Sequence, residues 1–222
     1  MSPTITEASW YFDFLSPFSY LQLNRFGELP PQLKITIKPV VFSALLDHWE
    51  SKGPAEIPAK RRFVYRFFKW QADRRGLPFV MPPEHPFNPI PALRLALAGG
   101  ATEETVREIF QFIYGEGRNV DDEESILELG RRLGIADAPK RTSDPDIKSA
   151  LRANTNAALS EGVFGVPTFV IDGELFWGDD STAMLVDFLS NRALFNSDEM
   201  RRLSDMPMGL KRGPMGKPSA AL

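Results

Sequence analysis

The sequence predicts an α/β fold: a strand–helix–strand opening, a long helical insertion, and a helix–strand–strand–helix close. Three observations carry that prediction. Two early stretches alternate large apolar residues with polar ones, the middle of the chain repeats apolar positions at helical spacing, and two short late strands flank an Asp-Gly turn.

Trp10–Leu15 sets Trp10, Phe12 and Phe14 against Tyr11 and Asp13, the period of a strand. Ser16-Pro17 then starts a helix, with serine as the cap and proline at the first helical position, where its missing N–H costs nothing. That helix carries Tyr20, Leu21 and Leu23 toward Gly27. Leu33–Phe42 alternates Leu33, Ile35 and Ile37 with Lys34, Thr36 and Lys38, a second strand. Strand, helix and strand in this order predict a parallel pair with a right-handed crossover.

Ala59–Arg75 places Phe63, Phe67 and Trp70 on one helical face, beside Val64, Phe68 and Ala72. Pro91–Ala98 is a helix ended by Gly99-Gly100. Thr102 caps another that uses Val106, Ile109, Phe110 and Ile113, and a further helix through Ile126, Leu127, Leu129 and Leu133 stops at Gly134. Pro82-Pro83-Glu84-His85-Pro86 is a rigid loop. From Asp144-Pro145 a helix runs to Ser160 and closes at Gly162. Thr168–Ile171 and Glu174–Trp177 form a hairpin about Asp172-Gly173, and Gly178-Asp179-Asp180 introduces a last helix through Met184, Leu185 and Phe188.

Residues 1–43 and 158–195 thus read as one domain, with 44–157 a helical insertion and 196–222 a flexible C-terminal tail. With the insertion removed, the order of elements is the thioredoxin arrangement.

Composition narrows the chemistry. The chain has no cysteine, which excludes a disulfide, a thiolate metal site or a cysteine nucleophile of its own. Its two histidines, His48 and His85, are too few for a histidine-rich metal cluster and read as surface or loop residues. A net charge of −3 gives no electrostatic case for nucleic acid. No apolar run approaches the ~20 residues that span a bilayer, and the first residues lack a basic and apolar leader pattern. A cytoplasmic protein without a membrane partner is therefore expected. The 17 phenylalanines point to an aromatic-lined interior or pocket.

Two places carry candidate chemistry. Val166-Pro167-Thr168 enters the third strand, and only X-Pro bonds adopt cis cheaply, at about 0.5–1 kcal/mol. In a thioredoxin-like fold a cis-proline here faces the start of the first helix. The turn then leaves the Val166 N–H and C=O free for an extended peptide to bond as an added strand. The second place is Ser16. With no neighbouring histidine as base it is no covalent nucleophile, but its hydroxyl can stabilise a bound thiolate. Lowering a thiol from about 8.5 to about 6.5 takes roughly 2.7 kcal/mol. A helix terminus supplies roughly 0.3–1 kcal/mol, or about 2 where it is partly buried, and a hydrogen bond to a charged group about 1.5–3, so the two together span the requirement. Asp179 and Asp180 serve either as helix-start acids or as acceptors for an ammonium group. Lys60 alone reads as a solvated charge.

Together, Tyr11-Phe12-Asp13-Phe14-Leu15-Ser16-Pro17-Phe18-Ser19-Tyr20, Val163-Phe164-Gly165-Val166-Pro167-Thr168 and Trp177-Gly178-Asp179-Asp180 resemble the 2-hydroxychromene-2-carboxylate isomerases. Those are relatives of the kappa-class glutathione transferases within the DsbA-like thioredoxin superfamily. The resemblance implies glutathione as cofactor, with its cysteinyl backbone on Val166 and Pro167, its thiol at Ser16, where redox relatives carry a cysteine, and its γ-glutamyl end at Asp179 and Asp180. Lys60, in Pro58-Ala59-Lys60, matches a family lysine that helps bind glutathione. The chain departs from the family pattern at Asp179, where relatives carry Ser or Asn, at Ser181, where they carry Arg, and at Ser51, where they carry Asn. The implied function is a glutathione-dependent isomerase acting on an aromatic-derived acid. The alternatives are a kappa-like transferase and a catalytically weak thiol-binding protein. A homodimer is also implied.

Overall fold

A computed structural model describes residues 6–209. Four strands form one sheet in the order β2-β1-β3-β4. β1 (Thr6–Phe12) and β2 (Leu33–Pro39) are parallel, with Trp10 opposite Ile37, and α1 (Pro17–Leu23) is the crossover between them. β3 (Thr168–Ile171) runs antiparallel to β1, with Trp10 opposite Phe169, and β4 (Glu174–Trp177) folds back on β3. Asp172 and Gly173 both take positive φ at that turn, 51° and 84°, the geometry an Asp-Gly hairpin supplies.

β1 is a central strand covered on both faces, so Trp10, Tyr11 and Phe12 are all fully buried. Trp10 stacks on Phe12 at 4.6 Å and meets Phe26 edge-on, while Phe12 and Phe14 both reach Phe110. Much of the phenylalanine content is therefore core. The strand starts earlier than alternation suggests and ends at Phe12, because Asp13 turns back on its own loop rather than continuing the ladder.

The middle of the chain is helical: α2 (Phe42–His48), α3 (Pro58–Arg74), α4 (Ile90–Ala98), α5 (Glu103–Phe110), α6 (Glu123–Arg132), α7 (Ala138–Thr142) and α8 (Pro145–Ser160). α2 and α7 are additions to the sequence reading. The second strand ends at Pro39 rather than Phe42, and Phe42 instead starts α2, where Asp13 Oδ2 accepts its N–H at 2.8 Å, a cap supplied from a distant loop. A π-helical turn, Gln111–Gly115, continues α5 and carries Tyr114.

Packing divides the chain after Val186, within α9 (Thr182–Ser190). The region read as a tail holds α10 (Asp198–Ser204), capped by Ser197 with Asp198 and Glu199 in its first turn and Arg201 and Arg202 in its last. The end of that tail, from residue 210, lies outside the described residues.

Candidate thiol-binding site

Ser16 is the N-cap of α1. Its Oγ accepts the Ser19 N–H at 3.3 Å and donates to the Val166 carbonyl, also at 3.3 Å, so the two places that the sequence singles out meet in space. The Val166-Pro167 peptide is cis. The Ser16–Val166 bond is long for a hydroxyl donor, and the Val166 N–H has no hydrogen-bond partner among the described residues. Ser16 is 8% exposed and Val166 6%.

The loop ahead of Ser16 is held tightly. Asp13, fully buried, accepts the Leu15 N–H at 2.9 Å through Oδ1, and its carbonyl accepts the Ser16 N–H at 3.0 Å. Tyr114 donates to the Phe14 carbonyl at 2.9 Å. His85 Nε2 lies 2.8 Å from the Leu15 carbonyl, and Tyr65 lies 2.7 Å from His85 Nδ1. Burial pushes the Asp13 carboxyl up to about 7 despite the two N–H groups that favour its anion. Burial also raises Tyr114 well above the usual phenol range, helped by the Asp13 charge, and lowers His85 against the bond to Leu15.

The other end of the candidate site is built from charge. The Pro167 carbonyl accepts the Gly178 N–H at 2.8 Å, which joins the cis turn to the Asp179-Asp180 segment. Gln22 of α1 donates to the Gly178 carbonyl at 2.8 Å and is oriented by Trp10 Nε1 at 2.7 Å. Gly178 has φ of +89°, and a Cβ there would meet Asp180 Oδ1, so the segment needs glycine. Asp179 is buried and already engaged: Arg75 binds it with both arms, at 2.9 and 2.6 Å, and Arg25 reaches its carbonyl at 2.7 Å. Asp180 is exposed. Lys60 is exposed in the first turn of α3, outside the hydrogen-bonded set that joins Ser16, Val166 and Gly178.

Exposed aromatic residues flank both ends. Phe164 and Trp177 meet edge-to-face at 5.1 Å beside the cis turn, and both are about half exposed. On α3, Phe63 stacks on Phe67, which contacts Trp70 and Phe18.

Residues 8–190 match the family described as DSBA-like thioredoxin domain. The chain belongs to that family. Among curated relatives of this DSBA-like protein, a "Glutathione s-transferase kappa 2" of Caenorhabditis elegans is 25% identical over 210 residues, covering 85% of this chain and 93% of its own. A "2-hydroxychromene-2-carboxylate isomerase" of Pseudomonas putida is 27% identical over 201 residues, covering 85% and 97%. A solved 2-hydroxychromene-2-carboxylate isomerase superposes with a TM-score of 0.74 at 23% identity, over 91% of this chain and 100% of that one, which establishes the fold. No helix among the described residues is long and apolar enough to cross a membrane.

The sequence reading of this DSBA-like chain missed Arg75, Gln22, Asp13, Tyr65 and His85. Asp13 did leave a signal, an acid in an otherwise aromatic strand pattern. Arg75 left none, being one of several cations near the end of α3.

Proposed function

We propose that the protein is a glutathione-dependent isomerase of the 2-hydroxychromene-2-carboxylate type. The observation that carries the reading is the Ser16 hydroxyl facing Val166 at a cis turn whose N–H is free. An extended tripeptide needs one N–H and one C=O to pair as a strand, and Val166 offers both once Ser16 releases its long bond. The freed hydroxyl then donates to the glutathione sulfur. The names of the kappa-class glutathione transferase relatives support this ligand, and that of the isomerase relative supports the reaction type.

In the proposed reaction the thiolate adds to a conjugated, ring-opened substrate, and the electron pair of the attacked double bond moves onto its carbonyl oxygen. The former double bond is then single and rotates. Collapse of the enolate restores the double bond and expels the thiolate, so glutathione returns unchanged. Ser16 stabilises the sulfur anion before addition and after expulsion. Pro167 holds the turn, Asp180 receives the γ-glutamyl ammonium group, and Lys60 supplies a cation toward the ligand's carboxylates. Asp179, neutralised by Arg75, orients Asp180 rather than carrying free charge to the ligand. A cytoplasmic homodimer completes this reading.

The second reading is a kappa-like transferase, favoured by the Caenorhabditis elegans relative. It shares the thiolate but releases the conjugate. Calorimetry with glutathione, followed by ultraviolet scans with chromene-carboxylate and benzylidenepyruvate, tests both. Isomerisation at constant glutathione supports the first, and stoichiometric glutathione loss supports the second. Absence of binding overturns both in favour of a site for another thiol.

A further inference from the structure

The proposed mechanism uses Ser16 but leaves the imidazole behind it without a role. His85 reaches the loop from the Pro82–Pro86 segment and Tyr65 from α3, both far in sequence from Ser16. A carbonyl oxygen only accepts, so the Nε2 that lies 2.8 Å from Leu15 O carries the proton. Nδ1 then faces Tyr65 Oη at 2.7 Å, and the same hydroxyl lies 2.8 Å from the His85 carbonyl. With a neutral ring, the single Tyr65 proton serves one of these two acceptors. With a protonated ring, Nδ1 donates to Tyr65 while Tyr65 donates to the His85 carbonyl. In both charge states Nε2 remains a donor to Leu15, so the clamp does not depend on the titration of His85.

The clamped carbonyl belongs to the peptide whose nitrogen is Ser16 N. That nitrogen is fixed on Asp13 O at 3.0 Å, and Leu15 N is fixed on Asp13 Oδ1 at 2.9 Å. With these three bonds in place, the backbone delivers Ser16 in the extended cap conformation, φ −99° and ψ 108°. They also hold the negative end of the Leu15 carbonyl on the imidazole N–H.

We propose that His85, steadied by Tyr65, is a positioning residue that sets the Leu15-Ser16 peptide and so the capacity of position 16 to stabilise a thiolate. This role rests on the reading of Ser16 as the thiol-facing group. The effect of His85 on the sulfur passes through Leu15.

The chain has no cysteine, so Ser16→Cys introduces a single thiol that reports on this position. Its thiolate absorbance is titrated in four backgrounds: unchanged, His85→Ala, His85→Gln and Tyr65→Phe. His85→Ala raises the pKa of the introduced thiol by about one unit, a roughly tenfold smaller thiolate fraction below the pKa. His85→Gln, whose amide N–H can replace the Nε2 donor, returns it to within a few tenths. Tyr65→Phe, which frees the ring but keeps its donor, raises it by about half a unit. If Tyr65→Phe titrates like the unchanged background, or if His85→Gln shifts as far as His85→Ala, the proposal fails. Should His85→Ala not fold, Tyr65→Phe decides alone, with a rise supporting the clamp and no shift overturning it. None of these titrations requires glutathione. Calorimetry on the unaltered chain judges the glutathione reading separately.

Discussion

Asp13 and Asp179 are both buried aspartates at the candidate site, 0% and 2% exposed, yet they are stabilised in opposite ways. Asp13 lies under the Ser16 loop and is held by two backbone N–H groups, with no ion pair to a cation among the described residues. Asp179 lies at the other end and is gripped by a two-armed Arg75 at 2.6 and 2.9 Å, with Arg25 close by. Burial without a cation leaves Asp13 with a carboxyl near 7, a proton-sensitive group in the loop that leads to Ser16. Compensated burial makes Asp179 a fixed ion pair that shapes a corner. The same side chain, equally buried, therefore serves two purposes according to whether a guanidinium or only amides can reach it.

The largest test of this contrast is the dependence of stability on pH. The folded pKa of Asp13 is about 7 against 3.8 in the unfolded chain, so the folded state holds the extra proton between those values. Stability from this group is complete below about pH 4 and is lost as the pH rises toward 7 and above, by up to about 4 kcal/mol. Asp13→Asn should remove that slope in urea titrations from pH 4 to 8. It gives up roughly 1 kcal/mol for one N–H partner its amide cannot accept. An unchanged slope would place the pH dependence elsewhere.

The second test removes the compensated acid. Asp179→Ala breaks a largely buried ion pair and should cost about 3 kcal/mol in denaturant midpoints, the low side of such losses because Arg75 keeps a path to solvent. Asp179→Asn should recover part of it. A negligible loss would show that the pair is spectator charge and would free Asp179 for ligand.

A smaller effect is expected at Ser16. Ser16→Ala should leave glutathione binding nearly intact at low pH and raise the bound thiol pKa by about one to two units. Loss of the cap should lower folding stability by about 1 kcal/mol. If the thiolate absorbance titrates as in the parent, Ser16 is only a cap. The least effect belongs to the exposed partner of the corner: Asp180→Ala should weaken glutathione about tenfold by calorimetry while leaving stability within about 0.5 kcal/mol. A dissociation constant that does not move would leave Asp180 as a helix-start acid.

The sequence by itself determined the elements whose causes are local. The presence of β1 and β2, the Ser16-Pro17 helix start, the Asp172-Gly173 hairpin and the cap at Asp144 all follow from contacts within a few residues and were legible, while the bounds of β1 and the end of β2 were not. The pairing of Ser16 with Val166 was also foreseeable, because the order of elements brings those two segments together. Tertiary structure alone decided the rest. Arg75 meets Asp179 across 104 residues, Asp13 caps α2 across 29, and His85 reaches Leu15 across 70. Periodicity and capping report which face of an element is apolar and where it ends. They do not report which distant donor satisfies a buried polar group, because that partner is chosen only when the packed chain has excluded water from it.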